Sequence, residues 1–126
     1  MPTFVPEGWH SVTPRLVVED PAGLVAFLKA AFDATGDLPA GAPAVMRIGD
    51  SNVMVSRAGP RDAITALLYV YIEDVEATYR RALDAGGVSI EEPVDVPYGD
   101  RRAMIEDPGG NIWQIATYKG AAELQP

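Results

Sequence analysis

The chain states one pattern twice. Asp20 follows the apolar run Leu16-Val17-Val18-Glu19 and opens a helix-like stretch that reaches Ala34-Thr35-Gly36. Asp74 follows Leu68-Tyr69-Val70-Tyr71-Ile72-Glu73 and opens a second, ending at Ala85-Gly86-Gly87. Strand-like segments and an Asn-containing turn come next in both halves, Gly49-Asp50-Ser51-Asn52 in the first and Asp107-Pro108-Gly109-Gly110-Asn111 in the second. A duplicated module in 126 residues limits the choice of fold and lets equivalent positions be compared.

Within the first half, Val12–Val18 reads as a strand broken near its start by Pro14, which has no N–H to give a ladder. Asp20 reads as an N-cap with Pro21 at the first helical position. Leu24, Phe27, Leu28, Ala31 and Phe32 then recur at helical spacing. Residues 35–43 contain two Gly and two Pro, so they predict a loop or a short, poorly formed strand. Val45–Ile48 and Asn52–Val55 read as a hairpin, and Ala58–Asp62 as the connector between halves.

In the second half, Ile64–Ile72 is a strand and Asp74 the N-cap. Val75, Tyr79, Ala82 and Leu83 form the helical stripe, and Gly86 sits where a C′ residue belongs. Val88–Val96, Arg101–Glu106 and Ile112–Thr117 complete the half as strands. The order predicts an α+β fold: two tandem βαβββ modules, about 11–57 and 63–118, in a single domain spanning 1–126. One face of each sheet should carry its helix, and the other faces should curve as a mixed sheet around a shared cavity.

Composition removes several function classes. With no cysteine there is no disulfide and no thiolate metal site. Ten Lys and Arg against 18 Asp and Glu give a net charge of −8, which disfavours nucleic acid as a partner and weakly favours a cationic ligand. No apolar run approaches the ~20 residues a bilayer span requires, and the first residues show no signal-peptide pattern. The expectation is a cytoplasmic protein without a membrane partner.

The paired modules, the run from Val17 to Phe32, the centre from Ile72 to Gly87 and the closing segment Tyr98–Thr117 resemble the vicinal oxygen chelate superfamily. Within it the chain is similar to the glyoxalase/bleomycin-resistance group. The Tyr98-Gly99-Asp100-Arg101 run, followed by the Asp107 turn and Trp113, is closest to its PhnB-like branch. The resemblance spans roughly residues 11–118 and implies a homodimer. It fixes no reaction, because the superfamily hosts isomerases, lyases, dioxygenases, thiol transferases and non-catalytic drug binders.

The resemblance implies the metal site of the family's enzymes, a divalent ion held by His and Glu side chains, one ligand lying seven residues before each capping Asp and another after the Asn turn. The matching positions here are Thr13, Leu67 and Gln114, with Val55 as the first-half counterpart of Gln114 when Asn52 is aligned with Asn111. None supplies an imidazole or carboxylate. His10, the single histidine, lies in the N-terminal segment and reads as a surface or hinge residue. No metal and no other cofactor is therefore expected, and glyoxalase I chemistry, which needs metal-activated water, is disfavoured.

Strand alternation carries Arg15 to the cavity with Thr13, and Tyr69 and Tyr71 with Leu67. It groups Val53 with Val55, Ile112 and Ala116 with Gln114, and Ala103 and Ile105 with Arg101. The resemblance implies that Arg101 points inward. The ligand-binding set is then Thr13, Arg15, Val55, Leu67, Tyr69, Tyr71, Arg101 and Gln114, an apolar pocket with a few convergent polar groups. Arg15 and Arg101 have surface ion pairs as the plainer reading, and the tyrosines have core packing. Trp113 should pack in the core, and Trp9 should cover a partner or the pocket mouth.

No nucleophile elbow, phosphate loop or dinucleotide fingerprint occurs, and no catalytic residue is assigned. Two functions stay open. One, implied by the resemblance to drug-resistance members of the group, is a binding protein that sequesters a drug-like organic ligand, cationic or aromatic, in the cavity between the modules. The other is a metal-free isomerase, lyase or cyclase acting on a small metabolite through Arg15, Arg101 and a Tyr or carboxylate.

Overall fold

The structure, a computed structural model, describes residues 4–59 and 61–120. The first half contains strand β1 (Arg15–Val18), helix α1 (Pro21–Phe32) and strands β2 (Ala44–Ile48) and β3 (Ser51–Arg57). The second contains β4 (Leu67–Tyr71), α2 (Val75–Asp84), β5 (Val88–Asp95), β6 (Asp100–Glu106) and β7 (Ile112–Tyr118). The expected α+β architecture of two related modules is present.

Both helices start as their sequences dictate. Asp20 accepts a hydrogen bond from the Gly23 N–H and Asp74 from the Ala77 N–H, each at 3.1 Å, which satisfies donors that have no partner inside the helix. The first helix ends at Asp33 in the left-handed region (φ 58°), and Gly86 (φ 107°) follows the second.

The sheets are three-stranded, in the order β1-β3-β2, and four-stranded, in the order β4-β7-β6-β5. The outer pairs β1–β3 and β4–β7 are parallel and the rest antiparallel. The repeat is thus one strand short in the first half. Thr35 makes a single bridge with Arg47 where β5 would have its counterpart. The prolines and glycines of residues 35–43 stop that bridge from extending. Val12–Pro14 likewise stay outside β1. Ile64 pairs with Val17 of β1 instead of belonging to β4, and this bridge ties the two sheets together.

One core serves both halves. Leu16, Val18, Met46, Val53 and Val55 pack with α1, while Ala103, Ile105, Trp113 and Ile115 belong to the same buried cluster. Across the halves, α1 packs against α2. Phe32 at the end of α1 lies on Trp113 of β7, ring centroids 4.8 Å apart.

Candidate functional site

Alternation gives each sheet two faces, and burial shows which is which. In the first sheet Leu16, Met46, Val53 and Val55 turn to the helix, leaving Arg15, Val45, Arg47 and Met54 on the open face. Val55 is 0 % exposed, so its assignment to the cavity is corrected: it is core. The residue opposite Arg15 is Met54, whose sulfur accepts from the Arg15 guanidinium at 3.7 Å.

The second sheet needs a similar correction. Met104 pairs with Gln114 and Arg102 with Ala116, so these four share the open face with Leu67, Tyr69 and Tyr71. Arg101 sits one residue out of phase, on the helix side. Its Nε donates to Glu76 of α2 at 2.6 Å and its Nη1 to Asp95 at 3.2 Å. The plainer reading of Arg101, an ion pair, holds with partners other than its sequence neighbours.

A cleft of about 550 Å³ opens between the halves. Residues 10 and 12–14 and the β2–β3 turn form one wall; β4 and Trp113 form the other. It gathers Thr13, Tyr69 and Tyr71 from the expected set and adds His10 and Trp113. Arg15, Leu67 and Gln114 do not line it; Leu67 stands 65 % exposed on the open face.

Behind the cleft, Tyr69 and Tyr71 converge on a single carboxylate. Their hydroxyls donate to Oδ2 of Asp100 at 2.6 and 2.8 Å, and Asp100 is 2 % exposed. The Tyr98 hydroxyl lies 3.1 Å from that of Tyr69 and accepts from Nη1 of Arg102 at 2.9 Å. Each phenol has one proton, so the chain has one direction: Arg102 to Tyr98, Tyr98 to Tyr69, Tyr69 to Asp100. Glu91 anchors the far end by accepting from Nε of Arg102 at 3.0 Å. Partial burial, and then the bond to Asp100, push the Tyr69 phenol well above its ordinary range. The bond to Asp100 raises that of Tyr71. Both stay protonated and act as donors.

Tyr69 and Tyr71 share one face of β4, as strand alternation expects, whereas Tyr98 and Arg102 were not anticipated as members of the cluster. The available signal was the alternation of Asp100, Arg102 and Met104, set in the opposite phase by the pairing with β7.

A second buried carboxylate has a structural role. Asp107 accepts from the backbone N–H groups of Gly109 and Asn111, from the Asn111 amide and from Nε1 of Trp113 at 2.8 Å. Asn111 in turn accepts from the Ala66 N–H at 2.9 Å, fixing the entry into β4.

The donor set does not suit a divalent metal. At the positions where the resemblance places ligands stand Thr13, Leu67 and Gln114, and by register the counterpart of Gln114 is Met54. Imidazole and carboxylate ligands are lacking there. No group of three His, Cys, Asp or Glu side chains able to hold a metal occurs among the described residues.

The comparisons agree with this architecture. The profile of the Glyoxalase/Bleomycin resistance protein/Dioxygenase superfamily matches residues 8–115, and the chain belongs to that superfamily. The match is at that level and does not single out the PhnB-like branch. An uncharacterized Mycobacterium bovis protein is 28 % identical over 123 residues, covering 83 % of this chain and 81 % of its own. A putative glyoxylase of the same organism, CFP32, is 30 % identical over 119 residues, or 90 % of this chain but 46 % of that longer protein. Among solved structures, TioX from Micromonospora sp. ML1 superposes with a TM-score of 0.73 at 23 % identity, over 86 % of this chain and 98 % of TioX. The fosfomycin resistance protein FosX from Listeria monocytogenes gives 0.72 at 15 % identity, over 92 % and 98 %. At these identities the structures share the fold. Among the described residues no helix is long and apolar enough to cross a membrane.

Proposed function

We propose that this protein binds a small, drug-like organic ligand, without a metal ion, in the cleft between its two halves. The carrying observation is the cleft itself: about 550 Å³, walled by Tyr69, Tyr71 and Trp113 and placed at the module seam. That size and lining match the usual form of an organic-ligand site. The lack of imidazole and carboxylate at Thr13, Met54, Leu67 and Gln114 supports a metal-free site. The similarity in fold to a fosfomycin resistance protein supports an antibiotic-like ligand as the first class to screen.

The alternative, a metal-free isomerase, lyase or cyclase, would use the same cleft. Binding is favoured because the phenols of Tyr69 and Tyr71 are committed as donors to Asp100 and release their protons reluctantly. A second copy of the chain would complete the protein. The open face of the second sheet leaves Leu67 and Tyr71 65 % and 58 % exposed, surface a partner would cover.

Trp113 lines the cleft and reports on occupancy. Titration of its fluorescence with a panel of aromatic antibiotics should quench it saturably. No response to any member of the panel would sink the binding reading, and a monomer by light scattering at micromolar concentration would sink the dimer.

A further inference from the structure

Part of the cleft wall is a segment fastened at its two ends. His10, Val12, Thr13 and Pro14 line the cleft across from β4. Before them, the Gly8 carbonyl accepts from Nη1 of Arg47 at 2.5 Å and from the Asn52 amide at 3.5 Å. After them, the Pro14 carbonyl accepts from the Met54 N–H at 2.9 Å. Among the described residues no hydrogen bond joins residues 9–13 to either sheet, and the Trp9 N–H turns back to the Pro6 carbonyl at 3.0 Å.

The two fastenings differ in kind. The Pro14 bond continues the β1–β3 ladder, in which Arg15 lies across from Met54. The Gly8 bond is a latch: one carbonyl held by two side chains that face each other across the β2–β3 hairpin. Arg47 also donates to Oδ1 of Asn52 at 3.3 Å, which holds the latch together. Gly8 offers its carbonyl from the left-handed region, at φ 84°, where glycine is favoured. Val12 is 81 % exposed, so packing does little to replace the missing bonds. A segment with neither ladder nor buried apolar contacts opens at small cost.

We propose that residues 8–13 are a strap that gates the cleft, latched at Gly8 by Arg47 and hinged at Pro14. Releasing the latch lifts the His10–Thr13 wall and lets a ligand enter or leave; closure holds it against Tyr69 and Tyr71. This rests on the binding reading above. Arg47 stands on the open face of the first sheet, not on the cleft wall, so it is a positioning residue that acts through the strap.

Two variants test the latch from its two sides. Arg47→Ala removes the donor, and Gly8→Ala strains the turn at an exposed position. In the ligand-free protein, NMR order parameters of residues 9–13 should fall below about 0.6 in either variant, while β2, β3 and β4 keep theirs. The neutral fluorophore prodan then reads the gate by stopped flow. Its association and dissociation should both quicken about tenfold in either variant, with Kd moving far less than either rate. The double variant should be no faster than the single ones, because all act on one bond. Order parameters unchanged in both variants overturn the latch. A loosened strap with unchanged prodan rates overturns the gate and leaves the cleft as a binding site. A failure of prodan to bind the unaltered protein overturns the binding reading and the gate with it.

Discussion

Gln114 lies directly across from Tyr69 in the parallel β4–β7 pair, and Met54 lies across from Arg15 in the same way in the other half. Arg15 and Tyr69 each stand five residues before a capping Asp, so the two pairs are repeat-related. A thioether faces a guanidinium in one half, and an amide faces a phenol in the other. Neither pair offers the carboxylate or imidazole ligands a divalent ion requires. After incubation with Zn²⁺, Ni²⁺ or Mn²⁺ and desalting, elemental analysis should find far less than one ion per chain. A chelator should leave the melting temperature unmoved. One tightly held equivalent would refute the metal-free reading.

The Asp100 cluster should contribute to stability. Asp100→Ala leaves the Tyr69 and Tyr71 hydroxyls without their acceptor and opens a buried site, which should cost about 2 kcal/mol in urea unfolding. Tyr71→Phe keeps the ring and should cost less. An Asp100→Ala variant as stable as the parent would show that the two phenol bonds contribute nothing net.

Alkaline pH should weaken the fold through the same residues. Tyr69 and Tyr71 have folded-state values raised above the ordinary phenol, so the stability they confer is complete below about pH 10 and is lost as pH rises beyond it. Ultraviolet titration of the five tyrosines should leave two resisting ionisation until the protein unfolds. In Asp100→Asn these two should move toward ordinary behaviour. Five tyrosines titrating together near the ordinary value would contradict the cluster's geometry.

Trp113 joins the halves by packing on Phe32 and bonding to Asp107. Trp113→Ala should cost about 3–5 kcal/mol by cavity formation and loss of the indole donor. Because a single core spans both modules, unfolding should stay one cooperative transition. Two resolved transitions in the parent protein would show that the modules are independent.

The features legible in the chain before folding were local and periodic. Asp20 and Asp74 mark helix starts through capping chemistry, hydrophobic stripes mark helix faces, and the repeat of these signals gives the two-module fold. Which face of a strand meets the core was decided in the tertiary structure. Strand alternation has a period of two, so an error of one residue exchanges the faces completely. Aligning Asn52 with Asn111 made that error: the β2–β3 connection is the two-residue Gly49-Asp50, whereas five residues, Asp107–Asn111, join β6 to β7. The asparagines are therefore not equivalent, and Met54, not Val55, answers to Gln114. Arg101 and Arg102 were separated in the same way, one drawn to Glu76 on the helix side and the other to Tyr98 on the open face. The convergence of Tyr69 and Tyr71 on Asp100, some 30 positions away along the chain, likewise depends on β7 lying between β4 and β6, a neighbour relation that no local pattern in the sequence encodes.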